Sequence, residues 1–130
     1  MSDMLVKLYD LAESRLLLSQ TIPSDVTIRK PLGLERSLIV QWARELVGFA
    51  CYDAAALGYF GPIGVLEALR GKGVGKALMF ACLLEMKLKG YGCAIIGWVG
   101  PQEFYEKTVG AITIPDSTPG IWEHWLGGAE

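Results

Sequence analysis

The sequence predicts an α/β (α+β) fold, a sheet flanked by helices, on three observations. Gly73 to Lys89 is a long apolar segment with helical character, opened and closed by glycines. Strand-like apolar runs flank it, Tyr59–Leu66 before and Cys93–Val99 after. A shorter alternating run lies upstream at Val26–Arg29. With 130 residues and 52% hydrophobic content, the chain suits one domain, 1–130, with a sizeable core.

In chain order, Met4 to Tyr9 alternates weakly and reads as a short strand or an extended arm. Leu11 to Gln20 suits a short helix with Leu16, Leu17 and Leu18 inward, and Pro23 breaks it. Residues 1–25 are therefore expected to form an N-terminal arm. Val26-Thr27-Ile28-Arg29 suits a strand with one buried face. Leu34 to Val47 is expected to be a helix, with Leu38, Ile39, Trp42 and Leu46 as its apolar stripe. Gly48–Asp53 and Tyr59–Leu66 suit a hairpin joined through Ala54–Leu57. The helix from Gly73 is apolar on most sides and therefore reads as buried. Glu85 and Lys89 in it stand at i,i+4, and Gly90 stops it. Cys93–Val99 suits a strand buried on both faces. Pro101 fits the first turn of a short helix through Lys107, and Ala111–Ile114 a last strand. Pro115 and Pro119 mark a loop, and Ile121–Leu126 a closing segment that packs Trp122 and Trp125.

Charge and cysteine content narrow the function. The net charge is −2, without the basic surplus of a nucleic-acid binder. Cys51, Cys82 and Cys93 form no C-x-x-C pair, and the sole histidine is His124. Free core thiols in a reducing compartment fit better than a metal site. Met1–Leu8 lacks the layout of a secretory signal. Residues 48–66 are apolar, but Asp53, Pro62 and four glycines suit strands better than a membrane-spanning helix. A cytoplasmic protein without a membrane or nucleic-acid partner is expected.

The segment with most to say about function is Arg70-Gly71-Lys72-Gly73-Val74-Gly75-Lys76. It lies between a strand and a helix start. Its three glycines leave little bulk over the turn. The first N–H groups of a helix lack intrahelical partners and sit at the positive end of the dipole. Such a turn suits an anionic phosphate, and Arg70, Lys72 and Lys76 add charge. The spacing is neither of the two common phosphate loops. Gly71 and Gly75 are separated by three residues and Ala77 follows Lys76, so there is no Walker A motif. Gly71, Gly73 and Gly75 read G-x-G-x-G, which is not the dinucleotide fingerprint.

Arg-x-x-Gly-x-Gly from Arg70 to Gly75 resembles the acyl-coenzyme A pyrophosphate loop of the GNAT acetyltransferase superfamily. Gly64-Val65-Leu66 resembles that family's cofactor-facing strand. Phe104-Tyr105-Glu106-Lys107 before Gly110-Ala111 resembles its later Phe-Tyr-Glu-Lys helix. The resemblance covers roughly Val26 to Glu130. It implies a mixed, mostly antiparallel twisted sheet, splayed between two central strands, Tyr59–Leu66 and Cys93–Val99. Residues 48–114 would then be the cofactor-binding core. The resemblance also implies transfer of an acetyl group from acetyl-coenzyme A to an amine-bearing acceptor by direct attack, without a metal. Val65 and Leu66 would meet the pantetheine arm, and Arg70, Gly71, Lys72, Gly73, Val74, Gly75 and Lys76 the pyrophosphate. Tyr105 falls where many members place the phenol that protonates the leaving thiolate. Glu67 is the candidate base, with Asp53 a second one.

Each of these residues also has a structural reading. Tyr105 would pack on Phe104, Glu67 would be a solvated strand-end charge, and Asp53 would cap a turn. His124 and Trp98 read as packing residues, although Trp98 also suits an acceptor pocket. One departure from the family stands out. Many members carry a second helix and further strands between their first helix and the strand resembling Gly48–Asp53. Here Leu46-Val47-Gly48 is expected to join those elements almost directly. The chain thus reads as a compact member lacking part of the usual N-terminal half. A non-catalytic coenzyme A binding module is the alternative. The surface left by the short link suggests a homodimer.

Overall fold

The computed structural model describes residues 2–13, 23, 25–31, 33, 36–42, 45–97, 99 and 101–117. Within them runs a seven-stranded sheet: β1 (Met4–Lys7), β2 (Val26–Arg29), β3 (Ser37–Trp42), β4 (Glu45–Tyr52), β5 (Tyr59–Val65), β6 (Cys93–Ile96) and β7 (Ile112–Thr113). The helices are α1 (Val74–Leu88) and α2 (Gln102–Val109). The spatial order is β2-β3-β4-β5-β6-β1-β7. All neighbours are antiparallel except β5 and β6, which run parallel.

Helix α1 lies across one face of the sheet and contacts β3, β4, β5 and β6. Nine of its fifteen residues are buried, including Leu78, Cys82 and Leu83, as its nearly all-round apolar sequence requires. Beneath it lie Val40, Val47, Ala50, Tyr52, Phe60, Ala94 and Ile96. The N-terminal strand supplies Met4 and Val6, both fully buried in the same cluster.

The segment from Leu34 to Val47 corrects the sequence reading. Its described residues hold β3 and the start of β4, paired antiparallel side by side, rather than a helix. Leu38, Ile39 and Val40 are consecutive and all buried. A helix would turn Val40 away from the Leu38–Trp42–Leu46 stripe, whereas adjacent strand positions can be covered on both faces. Two of the three are β-branched, which also favours the strand. Val40 pairs with Gly48 and Gln41 with Leu46, so a bulge leaves Val47 as the extra residue. Leu46-Val47-Gly48 thus lies inside a strand, and the short helix-to-strand link does not exist. With that link goes the original ground for a homodimer.

Two smaller expectations also change. Residues 1–25 are not simply an arm, because β1 sits inside the sheet with Met4 between Ile96 and Thr113. Glu85 pairs with Lys30 at 2.8 Å and Lys89 with Asp53 at 3.5 Å, instead of with each other. The helix expected over Leu11–Gln20 lies mostly outside the described residues. So do Trp98, Pro119, and the closing segment with Trp122, His124 and Trp125.

The parallel pairing of β5 with β6 is confined to Tyr59–Ile95 and Phe60–Ile96. Beyond Phe60, β5 stays on β4, with Ile63, Gly64 and Val65 paired to Ala50, Phe49 and Gly48. A bulge between Ala50 and Tyr52 accompanies this departure, and the Gly61–Pro62 peptide is cis. The sheet therefore parts between its two parallel strands towards their carboxyl ends.

Candidate functional site at the sheet opening

Because β5 and β6 are parallel, their carboxyl ends lie at the same end of the sheet. The glycine loop follows β5 there, and α2 follows β6. Ligands of open α/β sheets commonly bind at such carboxyl ends.

The edge of β5 along the opening is polar backbone. The Leu66 N–H donates to the Val47 carbonyl of β4 at 2.9 Å. Backbone groups alternate sides along a strand, so Val65 turns its N–H and carbonyl to the opposite edge. There the Val65 carbonyl accepts a hydrogen bond from Arg70 Nε at 3.3 Å. The side chain of Leu66 is about half exposed.

A single 3₁₀ turn, Glu67–Leu69, leads into the loop, and the Arg70 N–H closes it on the Glu67 carbonyl at 3.1 Å. Gly71 (φ +79°) and Gly73 (φ +81°) take left-handed conformations that strain other residues. Gly73 caps α1 without a side-chain hydrogen bond. The Ala77 N–H is bonded to the Gly73 carbonyl at 2.9 Å, which leaves Val74, Gly75 and Lys76 with N–H groups outside the helical ladder. Gly75 does not take a left-handed φ. Among the described residues, a Cβ there would meet only Val65 Cγ2, at an ordinary contact distance of 3.8 Å. Neither strain nor crowding among these residues explains this glycine in a first helical turn.

The three cations of the loop are arranged differently. Arg70 is tied to Val65, Lys76 Nζ lies 5.9 Å from the Phe80 ring centroid, and Lys72 is exposed. Glu67 is exposed at the end of β5. Tyr105 is half-buried on α2, its ring edge-on to Phe104 at 5.2 Å. Burial raises the Tyr105 pKa above that of a free phenol, so it stays a neutral O–H donor around pH 7.

Asp53 is not with this group. It follows β4 directly, near the amino end of β5, the far end of that strand from the loop. Its carboxylate accepts the Gly58 N–H at 2.7 Å and the Tyr91 hydroxyl at 2.8 Å, and pairs with Lys89. Burial alone would raise its pKa, but the Gly58, Tyr91 and Lys89 contacts together lower it. Asp53 thus joins the β4–β5 turn to the end of α1, a structural duty that removes it as a candidate base.

One feature of this end of the molecule escaped the sequence reading. An apolar groove of about 330 Å³ runs over β3, β4 and β5, lined by Ile39, Leu46, Phe49, Gly64, Val65 and Leu66. Ile39, Phe49 and Gly64 form one cross-strand row. The Phe49 ring lies over Gly64, where a Cβ would come within 2.7 Å of Cε1. The neighbouring Gly48 faces α1, since a Cβ on it would stand 3.6 Å from Leu78 Cδ1. The Phe49 row therefore faces away from α1. Only the strand register, which the sequence alone does not print, assembles this row.

The three cysteines are free, with Cys82 buried and Cys51 and Cys93 partly so. No cluster of metal-ligating side chains occurs among the described residues. No helix of these residues is long and apolar enough to cross a membrane.

Comparison with known proteins agrees with this architecture. A region of a fungal multi-domain GH3 β-N-acetylglucosaminidase, described as a GCN5-related glucosamine N-acetyltransferase region, is similar with a TM-score of 0.63 and 14% identity. The match covers 87% of this chain and 19% of that one. A Drosophila melanogaster protein solved by X-ray methods is similar with a TM-score of 0.60 and 16% identity, over 87% of this chain and 47% of that one. This chain therefore spans less than half the length of either structure, and at such identities the likeness is one of fold. No curated protein matches the sequence. The family model described as Acetyltransferase (GNAT) domain matches residues 34–108, more than half of the chain. On that match, and with a sheet parted above a glycine loop, this chain belongs to the GNAT acetyltransferases.

Proposed function

We propose that the chain transfers an acetyl group from acetyl-coenzyme A to a primary amine, by direct attack within a ternary complex. The observation that carries this reading is the opening beyond Phe60 and Ile96, with the helix-start N–H groups of α1 at its end. The pyrophosphate would meet the amides of Gly71–Lys76, and the space that the described residues leave beside Gly75 is what such a contact needs. The pantetheine amides would bond the exposed backbone edge at Val65, with Leu66 beside them.

The chemistry needs no enzyme nucleophile. The amine nitrogen bonds to the thioester carbonyl carbon, and the carbon–sulfur bond breaks. The Val65 N–H faces the opening and is the donor for the oxyanion. Tyr105 gives its proton to the departing thiolate, and Glu67 takes the amine proton directly or through water. Held together, the two reactants also gain from proximity. No metal is part of this reading. A coenzyme A binding module without turnover would use the same loop and differs from this reading in lacking transfer to an amine.

A cytoplasmic location and a homodimer complete the proposal. The free cysteines support the first. The outer strand β2, at one edge of the sheet, supports the second. Calorimetry with acetyl-coenzyme A, then thiol release with an amine panel, tests the function. Absence of acetyl-coenzyme A binding would defeat it, and binding without turnover on any amine would return the binding-module reading.

A further inference from the structure

On the face away from α1, a cross-strand row of the sheet ends in a cation. Arg29 pairs with Ile39, Ile39 with Phe49 and Phe49 with Gly64, so these four residues share one face from β2 to β5. Beside them, Gln41 pairs with Thr27 on one side and with Leu46 on the other. The apolar groove of about 330 Å³ occupies the β3–β5 part of this face and reaches Val65 and Leu66, on the strand proposed to hold the thioester. Leu46, Phe49 and Leu66 are exposed there by 61%, 42% and 54%, a grouping of large apolar side chains that solvent alone does not favour. The volume lies at the small end of ligand pockets, room for one compact apolar body.

Arg29 bounds the groove on its β2 side and is exposed. Its Nε donates to Gln41 Oε1 at 2.8 Å and its Nη1 to the Lys30 carbonyl at 3.3 Å. Both acceptors are neutral, and among the described residues no carboxylate pairs with this guanidinium. The two bonds draw it towards β3 and leave Nη2 for a further acceptor. Glu45 precedes Leu46 along β4 and so projects to the opposite face. Glu67 lies beyond the end of β5, and Arg70 is turned to the opening, with its Nε on the Val65 carbonyl. An apolar trough with an unneutralised guanidinium at one end complements an apolar body with a carboxylate head. From β3, where that guanidinium is held, to the open edge of β5 is two strand spacings, about 10 Å.

We propose that the acceptor is an amine whose apolar body carries a carboxylate about 10 Å from the reacting nitrogen. The carboxylate meets Arg29 beside Gln41, the body lies over Leu46 and Phe49, and the nitrogen stands at the Val65 edge. This inference rests on the acetyltransferase reading above and adds the acceptor class to it. At that edge the nitrogen bonds to the thioester carbonyl carbon and the carbon–sulfur bond breaks. The thiolate takes the Tyr105 proton, and the amine proton passes to Glu67 or to water. Free α-amino acids are too short to reach from Arg29 to Val65, and polyamines would set a second ammonium against Arg29.

The test uses the full chain, with acetyl-coenzyme A as donor and 8-aminooctanoate, octylamine, 1,8-diaminooctane and 4-aminobutanoate as probes. The first spans the required distance; the others lack the carboxylate, replace it with a cation, or shorten the body. With wild type, 8-aminooctanoate should exceed octylamine in kcat/KM about fivefold, the upper end for an exposed ion pair. It should exceed 4-aminobutanoate about tenfold or more, through its additional methylenes. Arg29→Glu should turn the preference to 1,8-diaminooctane, while Arg29→Lys should keep the wild-type order. Both variants should leave the Kd for acetyl-coenzyme A unchanged. Leu46→Ser should lower kcat/KM for 8-aminooctanoate and octylamine alike. A wild-type preference for octylamine or the diamine overturns the proposal, as does an order that Arg29→Glu leaves unchanged. Acetylation of other amines but not of 8-aminooctanoate overturns it too, and spares the parent reading. A preference for octanoyl- over acetyl-coenzyme A that Leu46→Ser abolishes also overturns it, assigning the groove to the acyl chain. If acetyl-coenzyme A fails to bind, or binds without turnover on any amine, the parent reading is what has failed. The groove is then judged by nuclear magnetic resonance titration with octanoate, where shifts around Phe49 that Arg29→Glu removes sustain it and their absence overturns it.

Discussion

Replacing Gly75 by aspartate separates ligand binding from folding at the glycine loop. Gly73 is a poorer target, because its φ of +81° would strain any other residue and confuse the two effects. At Gly75 φ is not left-handed and, among the described residues, an added Cβ meets only Val65 Cγ2 at 3.8 Å. In a first helical turn aspartate is the better residue. It gains roughly 0.3 kcal/mol in propensity over glycine. A favourable interaction with the dipole adds about 0.3–1 kcal/mol. The variant should therefore melt about 2–4 °C higher than wild type. Towards a bound pyrophosphate the same carboxylate is repulsive. Two phosphate charges at ~6 Å, with an effective dielectric between protein surface and water, cost roughly 2 kcal/mol together. Acetyl-coenzyme A should thus bind about thirtyfold more weakly. Differential scanning calorimetry and titration calorimetry on the same samples read both quantities, and ~1 M salt should restore much of the affinity. A raised melting temperature with unaltered affinity would refute the reasoning, since the pyrophosphate would then not lie at this turn.

Further outcomes follow from the same geometry. Tyr105→Phe should lower turnover about 10²–10⁴-fold with little change in acetyl-coenzyme A affinity, measured as single-turnover thiol release. Full activity in that variant, where chemistry limits the rate, would remove Tyr105 as the acid. Asp53→Ala should cost about 1–3 kcal/mol in urea unfolding, because it removes the acceptor of the Gly58 N–H in the β4–β5 turn and the contact of the Tyr91 hydroxyl. The folded-state pKa of Asp53 is lowered, so its contribution is complete above the ordinary aspartate value of about 3.9 and is lost as pH falls through the folded value. Wild type should accordingly lose stability more steeply below about pH 4 than Asp53→Asn, and parallel acid titrations of the two would contradict this. Gly64→Ala puts a Cβ 2.7 Å from the Phe49 ring, so it should displace that ring, cost about 1–3 kcal/mol and change Phe49 resonances without altering the loop.

What the sequence disclosed depended on how local its cause was. The loop and α1 were legible because glycine, cation and apolar periodicity act within a few residues. Both strands of the opening were legible from their apolar runs, although β6 stops at Ile96, short of Val99. Leu38–Trp42 was misread because a short apolar run fits helix and strand alike, and tertiary pairing with β2 and β4 decides. That one error generated two others, the direct helix-to-strand link and the first ground for a homodimer. The fate of Asp53 was partly visible, as turn capping, but Tyr91 and Lys89 reach it from distant positions and could not be assigned. The groove was invisible for the same reason, since Ile39, Phe49 and Gly64 meet only through register. Gly75 is the reverse case: the family resemblance gave it a purpose, and the structure supplies the physical argument, space that the described residues leave unfilled.

The position of β1 bears on how this chain is made. Met4–Lys7 leaves the ribosome before the other six strands, yet its partners are Cys93–Ile96 and Ile112–Thr113, among the later segments to emerge. A meander of β2 to β5 can form early from neighbours in sequence. The half of the sheet beyond β5 must wait, with an apolar strand unpaired, until both flanks exist. Such long-range closure slows folding, and it exposes a sticky edge while synthesis proceeds. Since β7 touches the sheet through β1, deleting Met4–Lys7 would uncouple the last strand as well. Fusion partners and purification tags placed ahead of β1 therefore act directly on the assembly of that half of the molecule.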